Sequence, residues 1–238
     1  MNNINHNNIS LNEENHIYTL DDDKNLQFTS VTTIIGSLFE KFNAPKIANK
    51  LVNTHSSYKH LSVKELLAIW KQSALNGTEI HKQIEDFINS KINMTDTKAQ
   101  DAVKWLEKIT YGSNHSLFTE KIIYSKELRI AGSIDLLIKL NDTNEYTIID
   151  WKTNKKIESK SFRNKVGIHE ITSKIEDCSF NKYAMQLSLY RYILEEFYGY
   201  KINQQILAHL TKDGVKAYVT PYYKKEMIEI SKLRWRIQ

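Results

Sequence analysis

Three strand-like segments joined by short turns constrain the fold more than any other part of this sequence. Residues 117–124, 128–140 and 146–153 are rich in β-branched and aromatic side chains that alternate with a period of two. Polar turns at 125–127 and 141–144 separate them. Connections this short leave no room for the crossover that joins parallel strands. The sequence therefore predicts an antiparallel meander of three strands.

Helical patterns precede and follow the predicted meander. Ser62 and Glu65 form a capping box at the start of a long amphipathic helix, and a second helix covers about 98–109. After the meander, 183–198 has a strong helical pattern, and 205–210 is typical of a strand. The inner face of the long helix has steps of three and four: Trp70, Ala74, Gly77, His81, Ile84 and Ile88. This order (αβββαβ) predicts an α/β fold, mixed α+β, with a central mixed sheet flanked by helices.

The N-terminal part is expected to form an extension. Residues 16–20 and 26–35 look like a hairpin or two short strands, and Pro45 opens a helix. Nothing repeats at a fixed period, and no long linker divides the chain. We therefore expect an N-terminal strand and helix extension over 1–60, packed on a core domain over 61–238.

The composition bounds the class of protein. With 238 residues, of which 41% are hydrophobic, the chain is long enough for one large domain with a real core. The single cysteine, Cys178, excludes an internal disulfide and indicates a reducing compartment. No apolar run approaches the roughly 20 residues needed to span a bilayer, and the first residues lack the features of a signal or transit peptide. These observations predict a soluble intracellular protein, in the cytoplasm or a host-cell DNA compartment, with no membrane partner.

An acid and a lysine end the third predicted strand. Asp150 and Lys152 are two residues apart, so their side chains project from the same face of a strand. A carboxylate that can hold a divalent cation, beside an ammonium that can steady an anion, suits phosphodiester hydrolysis. The acid-x-lysine pattern also occurs by chance at 22–24, 96–98 and 158–160. Only the copy at Asp150 ends a strand-like run, which singles it out.

A second aspartate is expected to face this pair. Asp135 lies within the apolar segment Ile134-Asp135-Leu136 on the middle strand, where an unpaired carboxylate is costly to bury. Taken alone, it is best explained by a salt bridge or by contact with water. Because the adjacent antiparallel strand ends with Asp150, the two carboxylates can meet across the sheet, and like charges so placed require a cation.

Four further polar residues are candidates for the same site. His81 lies one turn after Gly77 on the inner face of the long helix, where a lone histidine is more often a core residue than a ligand. Glu120, on the first strand, is expected to be an outer ligand, a residue that orients the lysine, or an exposed charge. Gln186 and Tyr190 share one face of the last long helix. Taken alone, they are best explained as a surface glutamine and a core tyrosine.

The balance of charge suits a polyanionic partner. Lys and Arg number 33 against 28 Asp and Glu, a net charge of +5. A basic cluster follows the third strand, and it is about equally well explained as a solvated face or as a surface that tracks phosphates: Lys155, Lys156, Lys160, Arg163 and Lys165. The chain has no P-loop motif, so no nucleotide cofactor is expected.

The order of these motifs resembles that of the PD-(D/E)XK nuclease superfamily, most closely its RecB-like exonuclease branch. The segment Ser30-Val31-Thr32-Thr33-Ile34-Ile35 is also similar to mitochondrial genome maintenance exonucleases and their phage and viral relatives. The likeness covers about residues 16–210. Four motifs carry it: Gly77-Thr78-Glu79-Ile80-His81, Gly132-Ser133-Ile134-Asp135, Ile149-Asp150-Trp151-Lys152-Thr153 and Tyr183-Ala184-Met185-Gln186-Leu187-Ser188-Leu189-Tyr190.

The resemblance implies a restriction-endonuclease-like core and assigns roles to individual residues. Mg²⁺ or Mn²⁺ would be held by a set of four: His81, Asp135, Asp150 and the backbone carbonyl of Trp151. Lys152 would place or activate the attacking water, Gln186 would orient the lysine or the water, and Tyr190 would support the substrate side. Iron–sulfur members of this branch need four cysteines, so no iron–sulfur cluster is expected here.

The resemblance also implies an activity. We expect a metal-dependent DNA exonuclease that acts on single-stranded ends or flaps, in DNA repair, replication or recombination. Three alternatives remain open: a structure-selective endonuclease of the same fold, a nucleic-acid-binding module without catalytic activity, and a basic adaptor whose acids serve as salt-bridge partners.

Overall fold

The structure is a computed structural model that describes residues 8–12 and 17–233. Within these ranges the chain forms eight strands and six α-helices, besides short 3₁₀ turns. The strands are β1 Ile9–Asn12, β2 Ile17–Leu20, β3 Thr29–Ser30, β4 His115–Ser125, β5 Ile130–Leu140, β6 Glu145–Lys152, β7 Lys201–Thr211 and β8 Gly214–Val219. The helices are α1 Val31–Ser37, α2 Ala44–Thr54, α3 Val63–Ser90, α4 Thr97–Thr110, α5 Ser179–Tyr198 and α6 Lys224–Lys232.

A mixed sheet of six strands forms the centre of the fold. The predicted meander is confirmed, because β4, β5 and β6 pair antiparallel. Strand β7 pairs parallel with β6 and antiparallel with β8. Strand β3 pairs parallel with the first residues of β5. The sheet is therefore mixed and flanked by helices, as the sequence predicted.

Two apolar clusters pack on the opposite faces of the sheet. On one face Ile148 of β6 packs with the apolar residues of α1 and α5. On the other face, Ile149 and Trp151 of the same strand pack with α3 and α4. Since side chains alternate along a strand, Asp150 and Lys152 lie on the face of Ile148. This face, at the end of β6, is where the candidate site forms.

The long helix α3 begins as the sequence predicts. The Ser62 hydroxyl accepts a hydrogen bond from the Glu65 backbone N–H, and the Glu65 carboxylate accepts one from the Ser62 N–H. This reciprocal pair is the predicted capping box. None of the helices in the described part of the chain is long and apolar enough to cross a membrane.

The predicted hairpin between 16–20 and 26–35 is wrong, and the alternative of two short strands is nearer to the structure, which has β2 and β3 in these ranges. Strand β2 pairs antiparallel with β1, and not with residues 26–35; His16, also part of that prediction, lies outside the described residues. Most of 26–35 is not strand, because Ser30 caps helix α1 by accepting a hydrogen bond from the Thr33 N–H. The division of the chain at residue 60 stays a prediction; β3 and α1 bring part of 1–60 into the main sheet and its apolar cluster.

Candidate active site

Asp135 and Asp150 stand opposite each other on β5 and β6. The pairing of Leu136 with Ile149 places the two aspartates at the next position of the antiparallel register. At this position a side chain replaces the backbone hydrogen bonds between the two strands: the Trp151 backbone N–H donates to Asp135 Oδ2 over 2.7 Å. This hydrogen bond fixes the Asp135 carboxylate at the end of β6.

Helix α3 brings His81 to the same point. His81 Nδ1 lies 3.6 Å from Asp135 Oδ2. One turn earlier, Gly77 lies against the residue that follows β6: a Cβ atom there would be 2.8 Å from Thr153 Oγ1. The glycine therefore allows α3 to approach the end of β6 closely enough for His81 to reach Asp135.

Glu120 lies opposite Asp135 in the register of β4 and β5, at an irregular point of the β4 backbone. Its φ is +42°, a left-handed conformation that is uncommon for a residue with a side chain. The ladder between β4 and β5 skips this residue, since Thr119 pairs with Leu136 and Lys121 with Ile134. The Glu120 carboxylate accepts a hydrogen bond from the Ser133 hydroxyl over 3.0 Å. Backbone strain held in this way is typical of functional sites.

His81, Glu120 and Asp135 together fit a divalent cation. Each offers a ligand atom, and these atoms all lie within 4.8 Å of one another. The charged carboxylates of Glu120 and Asp135 repel each other. Burial, together with this repulsion, raises the pKa of Glu120 to about 8. Carboxylate oxygens suit Mg²⁺ and Mn²⁺, and an imidazole is a common ligand of transition metals. A cation bound here would relieve the repulsion.

Asp150 lies beside this trio and is held by two other groups. Its Oδ2 is 2.6 Å from the Lys152 ammonium, an ion pair with poor hydrogen-bond geometry. Its Oδ1 accepts a hydrogen bond from Gln186 Nε2 over 3.1 Å. Burial raises the pKa of Asp150 and outweighs the opposing attraction of Lys152. Burial acts to lower the pKa of Lys152, but the charges of Asp150 and Asp135 outweigh it, and the net shift is upward. The pair is therefore a buried, mutually dependent unit.

Gln186 and Tyr190 form a hydrogen-bonded pair next to Asp150. Gln186 Nε2 donates to the Tyr190 hydroxyl over 3.2 Å as well as to Asp150, so its amide holds the aspartate. Its expected role in orienting the lysine or the water stays a prediction. Tyr190 is buried, and its expected role in supporting the substrate side stays a prediction. A Cβ atom on Gly132 would lie 2.5 Å from the Tyr190 ring. The glycine of the Gly132-x-x-Asp135 motif thus makes room for the tyrosine that backs Gln186.

Trp151 contributes its backbone to the site and its ring to the core. The backbone N–H binds Asp135, as described above. The indole packs on the far face of the sheet, edge to face against Trp105 at 5.8 Å between ring centroids. The metal-binding role of the Trp151 carbonyl stays a prediction.

The basic cluster is partly balanced by exposed ion pairs within the chain. Three of its five members have an acidic partner: Lys156 pairs with Glu158, Lys160 with Glu176 and Lys165 with Glu40. The sequence showed only Glu158, because the other two acids are distant along the chain. The Arg163 guanidinium lies over the ring of Phe162, 66% of which is exposed. The cluster therefore presents less free positive charge than its sequence suggests.

Sequence reasoning missed two residues that contact the site. Ser133 holds Glu120, and Tyr183 lies with its ring against Lys152. Position gave a signal for the tyrosine, since residues three apart on a helix share a face and Tyr183 is three residues before Gln186. Ser133 had a comparable signal, since it is two residues before Asp135 and therefore lies on the same face of β5.

Solved structures with distant likeness to this chain exist. The crystal structure of SSO0001 is 15% identical with a TM-score of 0.37, and the match covers 86% of this chain and 73% of that chain. The crystal structure of a candidate exonuclease from Eubacterium rectale is 13% identical with a TM-score of 0.38, covering 94% of this chain and 83% of that chain. Likeness this weak carries no argument about activity. No curated protein matches the chain.

The sequence also matches a family model that spans the whole candidate site. The model describes the PD-(D/E)XK nuclease superfamily and matches residues 37–227. This stretch includes the helix that carries His81, the meander that carries the acids and Lys152, and the helix that carries Gln186. With most of its length matched, the chain belongs to the PD-(D/E)XK nuclease superfamily.

Proposed function

We propose that this nuclease is a divalent-metal-dependent deoxyribonuclease that removes nucleotides from single-stranded DNA ends or flaps, with Mg²⁺ or Mn²⁺ as its metal. Its place in the superfamily makes it a nuclease with a nucleic-acid substrate. One observation carries the proposal furthest. His81, Glu120 and Asp135 converge on one point from a helix and two strands, beside the buried pair of Asp150 and Lys152.

Each group in the site has a chemical task in phosphodiester hydrolysis. A bound divalent cation supplies a water of lowered pKa and neutralises charge on the phosphate. His81, Glu120 and Asp135 would hold that cation, with Asp150 as the adjacent acid. The Lys152 ammonium, next to it, would position the attacking water and stabilise the negative charge that develops on the phosphate. Gln186 keeps Asp150 directed at the site.

The exonuclease mode and the preference for single strands rest on the motifs. Gly132-x-x-Asp135, Asp150-x-Lys152 and Gln186-x-x-x-Tyr190 stand here in the order of the RecB-like exonuclease branch. A structure-selective endonuclease of the same fold would use the same groups, so substrate topology has to separate the two. A closed single-stranded circle has no ends and resists an obligate exonuclease.

The test is a digestion time course with end-labelled single strands, duplexes, 5′- and 3′-blocked strands and a closed circle, in Mg²⁺, Mn²⁺ or EDTA. We expect metal-dependent release of labelled products from linear single strands and an intact circle. D150A and K152A should each lower the rate by about a hundredfold or more, because each removes a charge from the reacting centre. D213A and K212A, which lie in the exposed turn between β7 and β8, are matched controls.

Two results would contradict the proposal. Wild-type rates in D150A or K152A would remove the site from the reaction. Cleavage of the closed circle as fast as the linear strand would identify an endonuclease.

A further inference from the structure

The Lys152 ammonium lies between two partners that belong to different elements. One is Asp150, at 2.6 Å. The other is the ring of Tyr183 on helix α5, whose centroid lies 4.7 Å from the ammonium nitrogen. Tyr183 is three residues before Gln186, so one face of α5 holds both members of the buried pair. Gln186 holds the aspartate and Tyr183 holds the lysine.

The Tyr183 ring is itself fixed by the chain that follows β6. Its hydroxyl donates to Asn154 Oδ1 over 3.1 Å. The Asn154 carbonyl accepts a hydrogen bond from His209 Nε2 over 2.6 Å. The preceding carbonyl, of Thr153, accepts one from Lys98 Nζ over 3.4 Å. Residues from α4, α5 and β7 thus hold the turn that positions the ring.

A ring face suits this task better than a second carboxylate. An aromatic face attracts an ammonium through its quadrupole, and the attraction is stronger where water is excluded. The side chain of Lys152 is only 17% exposed. Because the ring accepts no conventional hydrogen bond and carries no net charge, it can hold the lysine without forming a second ion pair. The lysine N–H groups also stay free to donate to water or phosphate oxygens. Burial raises the pKa of the Tyr183 phenol, so its hydroxyl stays a donor to Asn154.

We propose that Tyr183 is a positioning residue, which holds the Lys152 ammonium at the reacting centre by a cation–π contact. The proposal rests on the function proposed above for the same site. A cation held beside Asp150 would compete with Lys152 for the Asp150 carboxylate and weaken the ion pair that now spans 2.6 Å. Once that ion pair loosens, the ring is the partner that keeps the lysine beside the substrate.

Kinetics of three variants test the proposal. Y183L removes the ring face. We expect it to lower kcat about tenfold or more with little change in KM, because a displaced lysine stabilises the transition state less than the correctly placed lysine of the wild type does. Y183F keeps the ring and should recover most of that loss. Y192L is the matched control, because Tyr192 is a half-buried tyrosine of the same helix that contacts Ser231. Thermal unfolding of all three variants separates a loss of positioning from a loss of folding.

A double variant shows whether Tyr183 acts through the lysine. If it does, Y183L adds no further loss of kcat to K152A. Additive losses in Y183L/K152A, a wild-type kcat in Y183L, or equal losses in Y183F and Y183L would each overturn the proposal.

The contact also has a readout that needs no activity. In metal-free protein labelled with ¹³C-lysine, the ε-protons of Lys152 should resonate upfield of those of other lysines because they lie over an aromatic ring. K152R identifies the signal, and Y183L should abolish the shift. A Lys152 signal within the range of the other lysines would overturn the contact. Lack of nuclease activity in the wild type would instead overturn the proposed function, and the two failures are distinguishable.

Discussion

Glu120 combines a left-handed backbone with a half-buried carboxylate next to another acid. Its hydrogen bond from Ser133 compensates only part of this cost, since burial and Asp135 still raise its pKa to about 8. A residue that destabilises the metal-free protein in this way is best explained by a ligand that the fold is built to accept. The change in stability when the Glu120 charge is removed therefore measures how much the metal-free site destabilises the folded protein.

We predict that E120Q stabilises the metal-free protein, and increasingly so as the pH rises. The unfolded pKa of a glutamate is near 4.5 and the folded pKa of Glu120 is about 8. Between these values the folded wild type binds more protons than the unfolded chain, so its stability falls as the pH rises. The glutamine variant lacks this loss, and it should gain about 4 kcal/mol over the wild type at pH 8 and less than about 1 kcal/mol at pH 5.

The measurement is chemical unfolding in EDTA at a series of pH values. E107Q, which changes an exposed glutamate of α4, is the control and should follow the wild type. Parallel pH curves for the wild type and E120Q would show that Glu120 ionises normally in the folded protein.

The sequence was sufficient for some residues of the site and not for others. Strand alternation and the antiparallel register are enough to bring Asp135 opposite Asp150. Helix spacing is enough to put His81 one turn from Gly77. The left-handed backbone of Glu120 could not be predicted, because the local sequence carries no sign of one positive φ angle within a strand. The partners of the basic cluster could not be predicted either, since Glu40 and Glu176 meet it only through the fold.

Elements, like residues, were predictable where local signals agreed with tertiary packing. The capping box and helical spacing of α3 gave its start and its type. Helix α1 was misjudged because its β-branched run is typical of a strand. Its buried residues, Val31, Ile34 and Ile35, nevertheless have helical spacing, and Ser30 caps it. Here a cap and a packing surface outweigh the propensity of the residues.

Helix α3 closely approaches the residue that follows β6 at Gly77, and we predict that G77A disturbs this contact. The new Cβ atom would meet Thr153 Oγ1 at 2.8 Å, so either the helix or the threonine must shift. A small displacement of His81 should lower kcat about tenfold. Stability should change little, since alanine favours a helix over glycine by about 1 kcal/mol and offsets the crowding.

Two further variants isolate the contact. G36A is the matched control in helix α1, because a Cβ atom there meets nothing within 4 Å. In G77A/T153A the crowding atom is gone, and kcat should return to the value of T153A. Failure of this rescue would mean that Gly77 matters for a reason other than its approach to Thr153. Activity and denaturant unfolding of each variant provide the comparison.

At the scale of the whole molecule, the candidate site joins parts of the chain that are far apart in sequence. His81 comes from α3, Glu120 from β4 and Asp135 from β5. A cation bound by all three would therefore tie the helix to the sheet, and its binding energy would add to the stability of the folded state.

We predict that Mn²⁺ raises the melting temperature of the wild type, because the folded chain assembles a site that the unfolded chain lacks. At a free metal concentration about a hundred times Kd, linkage amounts to about 2.7 kcal/mol, a shift of several degrees. E120Q and D135N should lose most of the shift, whereas H60A, which changes an exposed histidine before α3, should keep it. Differential scanning calorimetry in EDTA and in increasing Mn²⁺ gives the comparison, with Ca²⁺ as a second cation. A melting temperature that does not respond to Mn²⁺ or Mg²⁺ at millimolar concentration, or an equal shift in D135N, would place the metal elsewhere than between α3, β4 and β5.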